Sequence, residues 1–416
     1  MAEVTFLHTS DWQLGMTRWF LAGENNASQH LFDAARRGAI KNMGEVAREV
    51  DAKFMVVAGD AFDSNTVPAH EVDRVLSDLR SLKLPIVILP GNHDCYHANS
   101  IYLKEPLLSA VERSDWLHVL SPDNPAVEIP VEVGGREVSV EVTGMALNSN
   151  DPQRIDFEDF VGALEPRREP RVLVAHGQVV SFSSQAESSL SLPAMDRAID
   201  QGLVNYVAVG DTHSTRQLDS RGYVWFSGAQ EVTEFDHREP DSGNVLAVTI
   251  PVDDTGVEAS ALASGPRGVP KVAKHRVGSW RWLYQEHDFA DYAEIEQWLS
   301  ELEELDQPDA TCVKYRISGT VSLAEKSAVD AALHRLEPVF AALYAGSDSG
   351  LTVVSNPEDI EALGLTGFMR DAAEELQEQL TPQEASSGGG AGGVRAGADR
   401  QTTADALSLL MRLAQR

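Results

Sequence analysis

Short apolar runs, each closing on a polar cluster, recur through the first half of the chain: VTFL into HTSD, FMVVA into GDAFD, IVILP into GNHD, VLVA into HGQ and YVAV into GDTHS. Runs this short, rich in Val and Ile and bounded by Gly, Asn and Asp, predict buried strands. Between the first two lies HLFDAARRGAIKNMGEVAREV, where Leu31, Ala34, Ala35, Gly38 and Ile40 fall near helical spacing, and EVDRVLSDLRSLKL repeats the pattern before the third. Strand and helix alternate, so the fold class is α/β. VEVGGREVSVEVTGMAL reads instead as a hairpin turning at Gly134 and Gly135, and 222–250 as further antiparallel strands. A mixed or two-sheet core therefore fits better than a pure doubly wound sheet.

After about residue 265 the texture changes. HDFADYAEIEQWLSELEEL and SLAEKSAVDAALHRLEPVFAAL are helical patterns flanking the alternating strand CVKYRISGTVSL, which makes a small α+β module. SSGGGAGGVRAGADR, 386–400, has the composition of a flexible linker, and TTADALSLLMRLAQR resumes as an amphipathic helix with Leu407, Leu410, Met411 and Ala414 on one face. The expected division is 1–265, 266–345, 346–385 (helical), 386–400 (linker) and 401–416 (tail helix).

Composition narrows the class. A chain of 416 residues with 64 Asp and Glu against 34 Lys and Arg, net charge −30, does not coat nucleic acid through bulk charge. Its two cysteines, Cys95 and Cys312, form no disulfide framework, and no run reaches the ~20 apolar residues of a membrane span. With no signal-peptide pattern at its start, the chain reads as a cytoplasmic enzyme without membrane association.

The candidate chemistry sits at the strand ends. In an α/β sheet these converge on the edge where ligands bind, and here they carry Asp11, Gln13, Asp60, Asn92, His93, His176, Asp211 and His213. Carboxylate and amide oxygens mixed with imidazoles suit manganese, iron or zinc, and a carboxylate such as Asp60 can bridge two ions. Two such ions clamp the attacking and leaving oxygens of a phosphoryl displacement. Any one of these residues alone would be an ordinary cap or turn residue; the set together points to a shared metal site.

GDAFD, GNHD, a lone AHG and a closing GDTHS, in that order after HTSDW, resemble the calcineurin-like metallophosphoesterases. HTSDWQLG with HLFDAARRGAI, YVAVGDTHSTRQL and FSGAQEVTEF resembles more narrowly the SbcD family, nuclease subunits of the bacterial SbcCD repair complex; the likeness spans about residues 4–250. The resemblance implies a two-sheet sandwich flanked by helices, with a small α+β capping domain and a helical C-terminal tail. It also implies two divalent metal ions, with manganese expected. Asp11 and His213 would hold one ion, Asn92 and His176 the other, and Asp60 would bridge them. His93 would bind no metal but would stabilise the transition state and protonate the leaving oxygen. DNA and an SbcC-like ATPase are the implied partners, and a homodimer is left open. The remaining readings are a phosphodiesterase of small nucleotides or phosphate esters, and a non-catalytic DNA-binding scaffold for the ATPase.

This chain departs from the family where Gln13 replaces the usual His and where the last motif, which usually opens with GH, opens here with Gly210 and Asp211, a carboxylate in place of an imidazole. Gln13 is either a weak ligand or a hydrogen-bond partner of a bound water. His8 reads as a packed histidine, His97 and Cys95 as shaping their loop, and Asp63 as orienting the GDAFD turn. In PRGVPKVAKHRVGSWRWLY, Arg267, Lys271, Lys274, Arg276 and Arg281 alternate with Trp280, Trp282 and Tyr284 without an acid. Such a segment either tracks DNA with stacking aromatics or is a strand with its aromatics buried. Residues 358–380 and 403–416 are candidate helices for docking on the ATPase.

Overall fold

The computed structural model describes residues 2–22, 27–149, 154–180, 189–252, 266–354 and 367–380, together with 402, 403 and 406. The linker expected over 386–400 lies outside the described residues, as does the tail 401–416 apart from those three positions. Within the expected 346–385 segment, residues 346–354 and 367–380 are described, the latter containing a helix over Phe368–Leu380.

Two six-stranded mixed sheets form the first compact unit, Met1–Arg281. In one, Ala2–Thr9, Met55–Ala58, Ile86–Leu89 and Leu117–Val119 run parallel, and Asn244–Val252 pairs antiparallel with Ala2–Thr9. In the other, Arg136–Gly144, Arg171–His176, Tyr206–Gly210 and Val224–Phe226 run parallel, and Ala126–Val133 closes one edge as a hairpin partner. That hairpin turns at Gly134 and Gly135, both with positive φ, as the Gly pair predicts. The strands expected over 222–250 are only partly antiparallel: Asn244–Val252 is, whereas Val224–Phe226 runs parallel to Tyr206–Gly210.

The sheets face each other across a core that includes Val4, Phe6, Val172, Val174, Tyr206 and Ala208. The outer face of the first sheet packs under the helices Ala27–Glu49 and Ala69–Ser81, and that of the second under Arg154–Gly162 and Leu192–Asp200. Strands covered on both faces need no polar side, so they read as continuous apolar runs. The Ala27–Glu49 helix, however, turns a different face inward from the one the spacing suggested. Phe32, Arg36, Ala39, Ile40 and Met43 are buried, while Leu31 is exposed. Arg36 is drawn inside because the carbonyls of Trp12 and Val232 accept its guanidinium hydrogens.

The basic segment is also placed differently. Lys271–Arg276 is the edge strand of the first sheet, paired antiparallel with Asn244–Val252, so the second compact unit begins at Trp282 rather than 266. That unit holds strands Arg281–Phe289, Thr311–Ser322, Ala342–Ala345 and Thr352–Val354 with helices Tyr292–Glu303 and Leu323–Leu336. Its helix starts are those its sequence favours: Asp291 caps the first, and Ser322 with Glu325 forms a capping box on the second. No helix among the described residues is long and apolar enough to cross a membrane.

Candidate metal centre

Every expected ligand sits at or just beyond the C-terminal end of a parallel strand, and the chain reverses abruptly there. Asp11, Gln13, Asp60 and Asp211 all have positive φ, 54°, 41°, 55° and 103°, so the strands end in left-handed turns that swing these side chains across the edge. Backbone bonds lock the turns together. Asp11 N–H donates to Gly59 O at 3.0 Å and Gln13 N–H to Asp60 O at 2.8 Å. Across the two sheets, Asp211 N–H donates to Asp11 Oδ1 at 3.0 Å, and the hydroxyls of Ser10 and Ser227 lie 2.7 Å apart.

Close approach of the strands requires glycine at two of the turns. A Cβ on Gly59 would lie 2.0 Å from His176 Nδ1, and one on Gly91 would lie 2.1 Å from Asp60 Oδ1. The absence of side chains at these positions is what lets His176 and Asp60 meet.

The potential ligand atoms of Asp11, Asp60 and His176 all lie within 4.8 Å of one another, and all three residues are buried. His176 Nδ1 donates to Ala58 O at 2.8 Å, which turns Nε2 toward Asn92 Oδ1 at 2.8 Å, Asp60 Oδ2 at 3.4 Å and Asp211 Oδ1 at 4.0 Å. His213 Nε2 lies 3.9 Å from Asp11 Oδ1. Gln13 belongs to this set: its Nε2 is 3.2 Å from His213 Nε2, so the amide and the imidazole share one spot. His93 stands apart. Its backbone N–H donates to Asp60 Oδ1 at 2.9 Å, its ring Nδ1 lies 2.9 Å from Asp63 O, and the side chain is exposed.

Crowded acids and imidazoles perturb one another here. Burial raises the Asp11 carboxyl, against the pull of His213 and His176. Burial would raise Asp60 too, but His176 and His93 outweigh it and hold that carboxyl below its usual range. His176 itself is pushed well up, burial being overcome by Asp60, and Asp211 is raised by burial. Three buried or half-buried carboxylates facing two imidazoles form a pool of negative charge that suits divalent cations, and the mixed oxygen and nitrogen donors suit them chemically.

Sequence reasoning missed three supports. Thr233 and Glu239 grip His213 from behind: Nδ1 contacts the Thr233 hydroxyl and lies 3.3 Å from Glu239 Oε2, while Thr233 Oγ1 donates to Glu239 at 2.6 Å. A histidine held this way presents Nε2 forward. Glu239 carried no local signal, lying in a loop more than twenty residues on from His213. Asp94 did carry one, as the last residue of GNHD. It accepts from Gly91 N–H at 2.7 Å, Phe62 N–H at 3.1 Å and Tyr102 OH at 2.6 Å, tying the Asp60 and Asn92 turns together, and burial raises its carboxyl to about 6.

The remaining expectations resolve individually. His8 is fully buried with Nδ1 3.0 Å from the Tyr206 hydroxyl, away from the cluster. His97 shapes its loop, accepting from Asn99 N–H at 3.0 Å. The basic side chains of the segment find local partners: Lys271 pairs with Glu3 at 2.7 Å and Lys274 with Asp241 at 2.7 Å. Arg276 donates to the carbonyls of Ser242, Gly278 and Trp280, and Arg267 to those of Arg167, Arg168 and Glu169. Trp280 and Trp282 are buried and offer no face to a base; Arg281, at the start of the next strand, is half-buried.

A family model described as calcineurin-like phosphoesterase matches residues 4–215, which holds every expected ligand. Among solved structures, TT1561 of Thermus thermophilus is 13% identical over 66% of this chain and 99% of its own, with a TM-score of 0.38. A dimetal phosphatase from Danio rerio is 12% identical over 65% of this chain and 98% of its own, with a TM-score of 0.36. A 5'-nucleotidase precursor, also from Thermus thermophilus, is 13% identical over 66% of this chain and 54% of its own, with a TM-score of 0.34.

Proposed function

Since this chain belongs to the calcineurin-like phosphoesterase family, we propose that it hydrolyses phosphodiester bonds in DNA with two divalent ions, manganese by preference, as the nuclease subunit of an SbcCD-like repair complex. The observation that carries hydrolysis is the convergence of Asp11, Asp60 and His176 at strand ends of both sheets. Asp11 and His213 would hold one ion, Asn92 and His176 the other, with Asp60 between them. Bound there, the ions supply neutralising charge for phosphoryl transfer and make water a better nucleophile. What supports manganese is the donor set, in which Gln13 and Asp211 would exchange imidazole nitrogen for harder oxygen.

The chain's own residues supply the rest. Asp63 O accepts from Nδ1 of the His93 ring, so in the imidazolium form Nε2 would carry the proton passed to the leaving oxygen. Asp94 and its three donors keep the two turns that carry Asp60 and Asn92 in fixed register. Thr233 and Glu239 do the same for His213.

Support for DNA lies in the stretches that carry the SbcD resemblance, HTSDWQLG, which supplies Asp11, and FSGAQEVTEF, which supplies Thr233. The local partners taken by the basic side chains of 267–276 favour the rival reading, hydrolysis of smaller phosphate esters. Digestion of labelled DNA with manganese, with and without an SbcC-like ATPase and with Asp60→Ala as control, tests the proposal. Cleavage abolished in Asp60→Ala supports it. Intact DNA under both conditions, alongside turnover of mononucleotide esters, would move the substrate to small nucleotides. Metal binding without turnover of either would leave a scaffold.

A further inference from the structure

One side chain of the Ala27–Glu49 helix reaches both halves of the expected Asp11–His213 ion site. Arg36 is 1% exposed, and its fork opens onto two carbonyls: Nη2 donates to Trp12 O, and Nη1 to Val232 O at 3.4 Å. Its Cζ lies 5.3 Å from the centroid of the Phe32 ring. Among the described residues, no carboxylate pairs with it and Nε finds no acceptor. A guanidinium taken out of water without a counter-ion, and with one donor unmet, costs the fold free energy, so stability alone does not account for it.

Each carbonyl is one end of a peptide plane whose other end is already tied to the site. Trp12 O shares its plane with Gln13 N–H, which donates to Asp60 O at 2.8 Å, and Gln230 Nε2 donates to Trp12 O as well, at 3.2 Å. Asp11 and Gln13 flank Trp12 with positive φ, a conformation that residues other than glycine keep only where their surroundings impose it. Val232 O shares its plane with Thr233 N–H, which donates to Glu239 Oε1 at 3.0 Å, and Thr233 and Glu239 hold His213 Nδ1. One planar fork therefore fixes both the turn that aims Asp11 and the loop that aims His213. Among the described residues, no bond of Arg36 or Gln230 runs to the turns of Asn92 and His176.

We propose that Arg36, with Gln230, is a positioning residue for one of the two ions, the one expected on Asp11 and His213. The proposal rests on the two-ion part of the reading above and is independent of whether the substrate is DNA.

Manganese calorimetry on the full chain, without substrate, tests this in two backgrounds. Asn92→Ala leaves the Asp11–His213 ion, and His213→Ala leaves the Asn92–His176 ion. Adding Arg36→Met is expected to weaken manganese roughly 10- to 100-fold in the first background, the range for groups that orient metal ligands, and to leave the second within about twofold. Arg36→Lys, a point donor that cannot span both carbonyls, should recover only part of the loss. Charge alone predicts the opposite sign, since removing a buried cation favours a metal ion nearby. Tighter binding in Arg36→Met would therefore overturn the proposal. So would an equal loss in both backgrounds, the mark of a merely loosened fold. Should Arg36→Met fail to fold, Gln230→Met decides. It removes one donor to Trp12 O together with an unmet Oε1, so the fold is expected to stand and the same split to appear at smaller size. Unchanged affinity in Gln230→Met would then overturn the proposal. A wild-type chain that binds a single manganese would sink the two-ion reading; the role of Arg36 stands there if Arg36→Met weakens that ion and falls if it does not. A chain that binds no manganese overturns both.

Discussion

Replacing His8 by Asn is expected to remove about 2 kcal/mol of acid sensitivity from this fold. His8 lies on the strand that delivers Asp11 and packs against Tyr206 on the strand that delivers Asp211, so it sits in the seam between the sheets beneath the metal centre. Burial lowers its pKa from 6.5 to about 3, with only a weaker opposing contribution from the backbone of Val209. Because the folded value lies below the unfolded one, the unfolded chain binds the proton more readily. The stability contributed by neutral His8 is thus complete above pH 6.5 and drains away as the pH falls from there toward 3. At pH 5 the unfolded imidazole is 1.5 pH units below its pKa of 6.5, which at about 1.36 kcal/mol per unit is ~2 kcal/mol. The figure barely depends on the folded value, since any folded pKa below about 4 gives the same result at pH 5. Asn can still meet the Tyr206 hydroxyl but cannot titrate. Urea unfolding of both proteins in EDTA at pH 8 and pH 5 gives the test. The variant is expected to be less stable at pH 8, having lost ring packing, yet to lose about 2 kcal/mol less than wild type on moving to pH 5. Common contributions from the site carboxylates and imidazoles cancel in that difference. Parallel losses in the two proteins would refute the argument.

Three further outcomes follow from the site. His93→Ala should keep its bound manganese by calorimetry while hydrolysis falls roughly 100-fold or more, whereas Asp60→Ala should lose metal as well; equal metal loss in both would make His93 a ligand or a structural residue. Gly59→Ala places a Cβ 2.0 Å from His176 Nδ1 at a φ of +92°, so it should cost about 1–3 kcal/mol in backbone strain and weaken metal binding; full metal affinity in a folded variant would show that His176 can reposition freely. Gln13→His should lower the manganese concentration needed for half-maximal hydrolysis, and if Gln13→Ala changes neither affinity nor rate, residue 13 is no ligand.

The strand ends and their ligands were readable in the linear chain because a buried parallel strand must be apolar throughout and must stop where polar groups begin. GDAFD, GNHD, AHG and GDTHS each mark such a stop, and chain order alone carries their types. The hairpin at Gly134 and Gly135 and the caps at Asp291 and Ser322 were equally local, resting on φ and on first-turn hydrogen bonds. Other features were decided by contacts between residues far apart in the chain. Which face of Ala27–Glu49 turns inward depended on carbonyls at Trp12 and Val232 waiting for Arg36. The basic strand joined the first sheet because Asn244–Val252 offered an unpaired edge, and its lysines met Glu3 and Asp241 there instead of facing solvent alone. The grip of Thr233 and Glu239 on His213, and the spot Gln13 shares with that ring, arise where loops from distant stretches meet. Periodicity reports a residue's preference for burial, a property of the residue and its near neighbours; the partner that satisfies a buried charge is set by the packing of the two sheets, and no local pattern encodes it.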